Sequence, residues 1–205
     1  LALAGGLLGG LCFGFGAAFT KELMSDVLRS PNDVEDQLGV KCLGVLPDIR
    51  PARASADHPE ANISSYVVEH PFSRFAETLR NIKVSIDVAR LSREVKVIGI
   101  LSSLPKEGKT TVAANFGHLT ALTGHRTLLI DGDLHTRSLT RALAPHSKTG
   151  LVEALKDPHS FGYHIQRSKE SGLDFLPSVV ASRMVNSADV IASKAMADLL
   201  AVVRE

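Results

Sequence analysis

The 205-residue chain contains no tryptophan and only two tyrosines, Tyr66 and Tyr163. That scarcity argues against a surface that stacks on nucleic-acid bases. Cys12 and Cys42 are its only cysteines, too few for a disulfide framework and without metal-ligand spacing. The eight histidines are scattered, and none forms a His-x-x-x-His pair with a neighbouring glutamate, so no zinc-type metal centre is expected. A surplus of charge is missing as well. With 23 Lys+Arg against 22 Asp+Glu the net charge is +1, so no nucleic-acid partner recruited by bulk charge is expected. Disorder is disfavoured by 44% hydrophobic and 22% charged residues. The averages conceal one local absence: residues 1–20 carry no charge at all.

That stretch, Leu1 to Phe19, is an unbroken run of apolar and small residues, closed by Thr20 before Lys21 and Glu22. At about 1.5 Å per residue it would span roughly 28 Å, near the hydrocarbon thickness of a bilayer. It lacks the basic start and small-residue cleavage site of a secretory signal. Residues 1–20 are therefore predicted to be a transmembrane helix in contact with membrane lipid, entered part-way along. Ala2, Gly6, Gly10, Gly14 and Ala18 form a stripe of small side chains along one helix face, which allows close helix approach. The competing reading is a glycine-rich core helix, but six glycines in twenty residues would cost a water-soluble helix heavily. The mixed charges that follow do not set an orientation.

Residues 21–49 read as a juxtamembrane segment. Ser30-Pro31-Asn32-Asp33 has helix-capping chemistry, Val34 to Leu38 continues the helix to Gly39, and Cys42 to Leu46 suggests a short strand before Pro47. Residues 50–70, rich in Pro, Ala, Ser and His without period, read as a linker. From 71 to 205 the pattern is that of an α/β domain. Phe75, Leu79, Ile82, Ile86 and Ala89 recur at helical spacing within Phe72 to Leu91. Val95 to Leu101 is a buried-strand run, Lys109 to Thr123 a helix stopped by Gly124, and Thr127 to Ile130 a second strand. A short helix at Leu151 to Leu155, a strand at Leu173 to Leu176 and a helix over Ala188 to Val203 complete the alternation. Near-continuous apolar strands separated by helices predict a parallel sheet covered by helices.

Between the first strand and its helix lies Ser102-Ser103-Leu104-Pro105-Lys106-Glu107-Gly108-Lys109-Thr110-Thr111. A loop in that place offers backbone N–H groups and a helix N-terminus to a phosphate. Gly108 allows close approach, Lys109 is placed to reach the β/γ-phosphates, and the Thr110 hydroxyl to ligate Mg²⁺. The strict phosphate-loop pattern fails at Ser103, where its first glycine belongs. The next strand ends in Leu128-Leu129-Ile130-Asp131-Gly132-Asp133, putting two carboxylates where parallel sheets place their ligand site. They are candidates for holding Mg²⁺ or its waters, or for taking a proton from an attacking hydroxyl. A solvated acidic turn would account for Asp-Gly-Asp alone, but not for its pairing with the loop one helix earlier.

These motifs, with the apolar segment before them, resemble the cytoplasmic half of the bacterial tyrosine kinases of the polysaccharide co-polymerase family. Asp33 to Gly39, Leu43 to Pro47, Phe75 to Ile82, Leu173 to Pro177 and Asn186 to Leu200 are also similar to family segments. The resemblance implies a P-loop NTPase-type fold after one transmembrane helix, with ATP and Mg²⁺ as cofactors. Lys106, Glu107, Gly108, Lys109, Thr110 and Thr111 would form the nucleotide loop. Lys109, Asp131 and Asp133 would be catalytic, with Thr110, Asp131 and Asp133 near the metal. The implied setting is the bacterial inner membrane, with the kinase part facing the cytoplasm. The implied partners are neighbouring subunits, met through Arg74, Glu77 and Arg80, and the machinery of polysaccharide polymerisation and export.

The sequence departs from the family at several positions. Lys106 stands where many members have glycine, His135 where an arginine is usual, and Arg137 where a proline is usual. Arg74 and Glu77 reverse the first two charges of the family's Glu-Arg-Arg series. The Walker B strand would follow Glu205, so the sequence is expected to be truncated at its C-terminal end and inactive alone as a kinase, with the sheet interior opened. Two rivals remain: a nucleotide-binding scaffold without kinase activity, and a partitioning-type P-loop ATPase. The second is weakened because its additional loop lysine is missing from the stretch around Leu104-Pro105-Lys106.

Overall fold

The computed structural model describes residues 10, 14–16, 19–20, 30–49, 63–90, 97–180 and 187–204. Two units are distinguished, Leu1–Val45 and Leu46–Glu205. In the first, Ser30 caps helix α1 (Pro31–Leu38) through a capping box with Asp33, and Gly39 ends it in the left-handed region at φ +64°. This is the outcome the sequence predicts, because both ends of the helix are written in local chemistry. Cys42 to Val45 pair with no strand, since no neighbouring backbone is offered to them among the described residues. Of residues 1–20, Gly10, Gly14 to Gly16, Phe19 and Thr20 are described, all helical and exposed. Among the described residues no helix is long and apolar enough to cross a membrane. Most of the predicted transmembrane span lies outside them.

The second unit is an α/β fold. Its helices are α2 (Tyr66–Glu69), α3 (Arg74–Arg90), α4 (Lys109–Leu122), α5 (Ser138–Leu143), α6 (Leu151–Lys156), α7 (Ser187–Ile191) and α8 (Lys194–Val203), with a 3₁₀ turn at Pro158–His164. Among the described residues the sheet has three strands, β1 (Leu128–Ile130), β2 (Gln166–Arg167) and β3 (Asp174–Leu176), in the order β1-β3-β2. β1 and β3 run parallel, with Leu128 opposite Asp174, Leu129 opposite Phe175 and Ile130 opposite Leu176. β2 runs antiparallel to β3. The sheet is thus mixed, not purely parallel as predicted. The turn from Ser168 to Leu173, with Gly172 at φ +74° and Ser168 N–H donating to Leu173 O at 2.8 Å, is too short for a parallel return.

Alternation along the strands sends side chains to two layers. Leu129 and Phe175 pack with Ala113 and Ala114 of α4 and Leu139 of α5. Leu128, Ile130 and Leu176 pack on the other face with Leu151 and Ala154 of α6 and Met196 and Leu199 of α8. A third cluster joins Phe116 and Leu119 of α4 to Val67, Phe75, Ala76 and Leu79. Helix α4 is therefore buried on more than one side, and residues 113–119 are buried without interruption. Each fully buried leucine, such as Leu79, Leu151 or Leu176, adds about 1.5–3 kcal/mol relative to exposure.

Three further expectations are corrected. The run Val95 to Leu101 is described from Val97 onward and forms no strand there; Ile100 joins the core beside Leu129 while Leu101 is 90% exposed. A β-branched run becomes a strand only when a neighbour takes up its backbone groups, and none of the described residues does so. Residues 63–69, read as linker, are largely helical, and Val67 is buried. The cause is Asn115 of α4, whose side chain accepts from Val67 N–H at 2.8 Å and donates to Ile63 O at 2.7 Å and Thr111 O at 2.8 Å. The helix expected over Ala188 to Val203 is two helices, because Ser193 leaves the helical region and caps α8 by accepting from Met196 N–H.

Candidate nucleotide-binding site

Residues 101–107 form an exposed loop leading into α4. Gly108 precedes the helix at φ +88°, and Lys106 also takes a left-handed φ of +68°. Alternation of this kind turns backbone N–H groups toward one concave side, the arrangement called a nest. Ser102 Oγ donates to Leu104 O at 3.2 Å, and Glu107 Oε2 accepts from Leu104 N–H at 3.0 Å, closing the loop upon itself. No side chain caps the first turn of α4. The amides of Lys109, Thr110 and Thr111 therefore face outward with the positive end of the helix dipole behind them.

The two aspartates lie at the carboxyl end of β1 but in different surroundings. Asp131 is 1% exposed. Its Oδ1 accepts from Asp133 N–H at 3.0 Å, and its Oδ2 from Thr140 Oγ1 at 2.6 Å and Thr140 N–H at 3.0 Å. Burial pushes its carboxyl above the ordinary value, against the opposing pull of those hydrogen bonds. Asp133 is half-buried and accepts from the amides of His135 and Thr136 and from the Thr136 hydroxyl. Partial burial works to raise it, but the Thr136 and His135 donors and the Lys109 ammonium together hold it below the ordinary value. The influence of Lys109 links the acidic turn electrostatically to the phosphate loop.

Loop, helix start and acidic turn thus occupy the carboxyl side of the sheet. Among the described residues no group of three His, Cys, Asp or Glu side chains could hold a metal by itself. A Mg²⁺ ion that draws most of its ligands from phosphate and water fits the residues present, with the Thr110 hydroxyl and Asp133 as protein-side candidates. A separate cavity of about 520 Å³, lined by Arg126, Arg167 and Asp174 among others, lies at the amino end of β1 and β3 and belongs to a different face. On α3, Arg74 and Glu77 are exposed, whereas Arg80 is half-buried and donates to Pro71 O at 2.5 Å. Thr136, Thr140 and Ser178 went unmarked in the sequence. Thr136 bonds locally to Asp133, whereas Thr140 reaches Asp131 nine positions away and Ser178 38 positions away, which no local pattern announces.

No protein-family model matches the chain. It is 43% identical over 143 residues to the succinoglycan biosynthesis transport protein ExoP of Rhizobium meliloti, covering 69% of this chain and 18% of that protein. It is 35% identical over 129 residues to the tyrosine-protein kinase YwqD of Bacillus subtilis, covering 63% of this chain and 54% of that one. The chain is a homologue of bacterial tyrosine-protein kinases and exopolysaccharide transport proteins. The kinase domain of the Escherichia coli tyrosine kinase ETK shares the fold, with a TM-score of 0.71 at 20% identity, over 86% of this chain and 69% of that domain. The chain spans only part of the length of these curated relatives, 18% of the first and 54% of the second.

Proposed function

We propose that the chain is the nucleotide-binding portion of a membrane-anchored, ATP-dependent protein-tyrosine autokinase that regulates exopolysaccharide or capsule polymerisation and export. The observation that carries this reading is the uncapped first turn of α4, behind a loop with two left-handed residues, with Asp133 held under the influence of Lys109. The kinship with tyrosine-protein kinases supports phosphoryl transfer as the chemistry. The uncharged residues 1–20 support an inner-membrane anchor with the nucleotide site on the cytoplasmic side, where ATP is. Arg74 and Glu77, exposed on α3, and Arg80 beside them are proposed to meet neighbouring subunits.

In this reading the amides of residues 106–111 and the Lys109 ammonium bind the phosphates and fix their position. Mg²⁺, when bound, supplies charge neutralisation between the phosphates. The Thr110 hydroxyl and the Asp133 carboxylate would hold the ion and its waters, and Asp133, backed by the buried Asp131, would be the carboxylate nearest an incoming tyrosine hydroxyl. Most of the rate would come from orientation and charge stabilisation.

Full-length protein incubated with Mg-ATP should yield phosphotyrosine detectable by mass spectrometry and abolished in Lys109→Ala. Nucleotide affinity of that variant should fall about tenfold or more, the effect of removing a charged hydrogen-bond partner. ATP bound without transfer would support the scaffold reading. One observation favours that alternative: the Glu107 carboxylate occupies the Leu104 amide and brings negative charge into the loop.

A further inference from the structure

Thr140, on the first turn of α5, has no part in the proposal above, yet its side chain ties the acidic turn to the chain leaving β3. It is 8% exposed. Its Oγ1 donates to Asp131 Oδ2 at 2.6 Å and accepts from Ser178 N–H at 2.8 Å, while its own N–H donates to the same Oδ2 at 3.0 Å. One buried hydroxyl therefore fastens three segments: the end of β1, the start of α5 and the chain leaving β3. Asp131 passes the constraint on, because its other oxygen holds the Asp133 N–H at 3.0 Å. With three donors on its two oxygens and almost no exposure, Asp131 is directed inward. Asp133 is the partly exposed member of the pair.

We infer that Thr140 is a positioning residue for the nucleotide site: it locks Asp131 as an internal strut and so fixes Asp133 as the carboxylate that faces bound Mg²⁺ and substrate. The hydroxyl is the decisive group. Valine has nearly the same shape but would remove a donor from Asp131 and leave the Ser178 N–H without its acceptor. Serine would keep both bonds. The functional half of this inference rests on the nucleotide reading; the structural half does not.

The test compares Thr140→Val and Thr140→Ser in the whole chain, using ADP as the probe with and without Mg²⁺ and following the Asp133 amide by NMR. Thr140→Val should lose about tenfold in the Mg²⁺-dependent part of ADP affinity, as expected for loosening a charged ligand's support, with metal-free affinity changed less than about twofold. The Asp133 amide resonance should move in Thr140→Val, and Thr140→Ser should restore both readouts. Wild-type behaviour of Thr140→Val in both would overturn the inference, as would an equal loss in both variants. Should Thr140→Val fail to fold, hydrogen exchange on the wild type decides: protected Thr140 and Ser178 amides support the clamp, and loop-like exchange refutes it. A wild-type protein that binds no ADP would sink the nucleotide reading, while the Asp133 resonance would still report on Thr140.

Discussion

The phosphate loop and the acidic turn flank the same candidate site but are stabilised in opposite ways. Residues 101–107 are exposed, held by two local hydrogen bonds, and include a lysine in a backbone conformation that favours glycine. Residues 131–140 form a network in which carboxylate acceptors meet hydroxyl and amide donors within the protein. One side presents unused donors and can adjust to a ligand; the other is built before any ligand arrives. Polar groups are therefore tolerable on both sides for different reasons: water serves the loop, while protein partners serve the turn.

The largest effect should come from dismantling the built side. Asp131→Ala would strand the Thr140 hydroxyl and two amides in a buried place, and unfolding measurements should show a loss of about 3 kcal/mol. Gly150→Ala should follow at about 2 kcal/mol, the scale of overpacking. A Cβ at Gly150 would lie 1.9 Å from Pro177 O, next to the Ser178 that Thr140 holds. On the adjustable side the sign reverses. Lys106→Gly should stabilise the chain by up to about 1 kcal/mol, or a rise of about 2–4 °C in thermal midpoint, by removing left-handed strain.

The smallest effect concerns pH and a residue outside both regions. His118 is 2% exposed and shares a 2.7 Å hydrogen bond with Ser171 Oγ, and among the described residues its Nε2 meets no partner. Burial lowers its pKa from 6.5, only partly opposed by Glu170. Below 6.5 the unfolded chain therefore takes up a proton more readily than the folded one. Stability should decline as pH falls through that value toward the lower folded pKa, and denaturant titrations of His118→Gln should show a weaker slope there.

Legibility in the sequence followed the range of the interactions involved. Helix α1, with its capping box and Gly39, and α3 and α4, with their apolar spacing, are specified by neighbouring residues and could be read directly. The loop motif and Asp131-Gly132-Asp133 were visible for the same reason. Strand β2 was not, since two exposed residues, Gln166 and Arg167, become a strand only by lying against β3. The run at Val97 to Leu101 shows the converse: strong strand propensity forms nothing without a partner. Thr140 and Ser178 lie 38 positions apart, and a threonine followed by ordinary helix residues carries no sign that it will meet a buried carboxylate.

The three hydrogen bonds of Asn115 make α4 a mechanical junction. The same side chain grips the segment from Ile63 to Val67 and the carbonyl of Thr111, one residue beyond the proposed metal-facing Thr110. Tension applied to the chain at residue 63 would reach α4 through that amide without first passing through the sheet. The helix whose start faces the candidate phosphate site is also the post to which the incoming chain is tied.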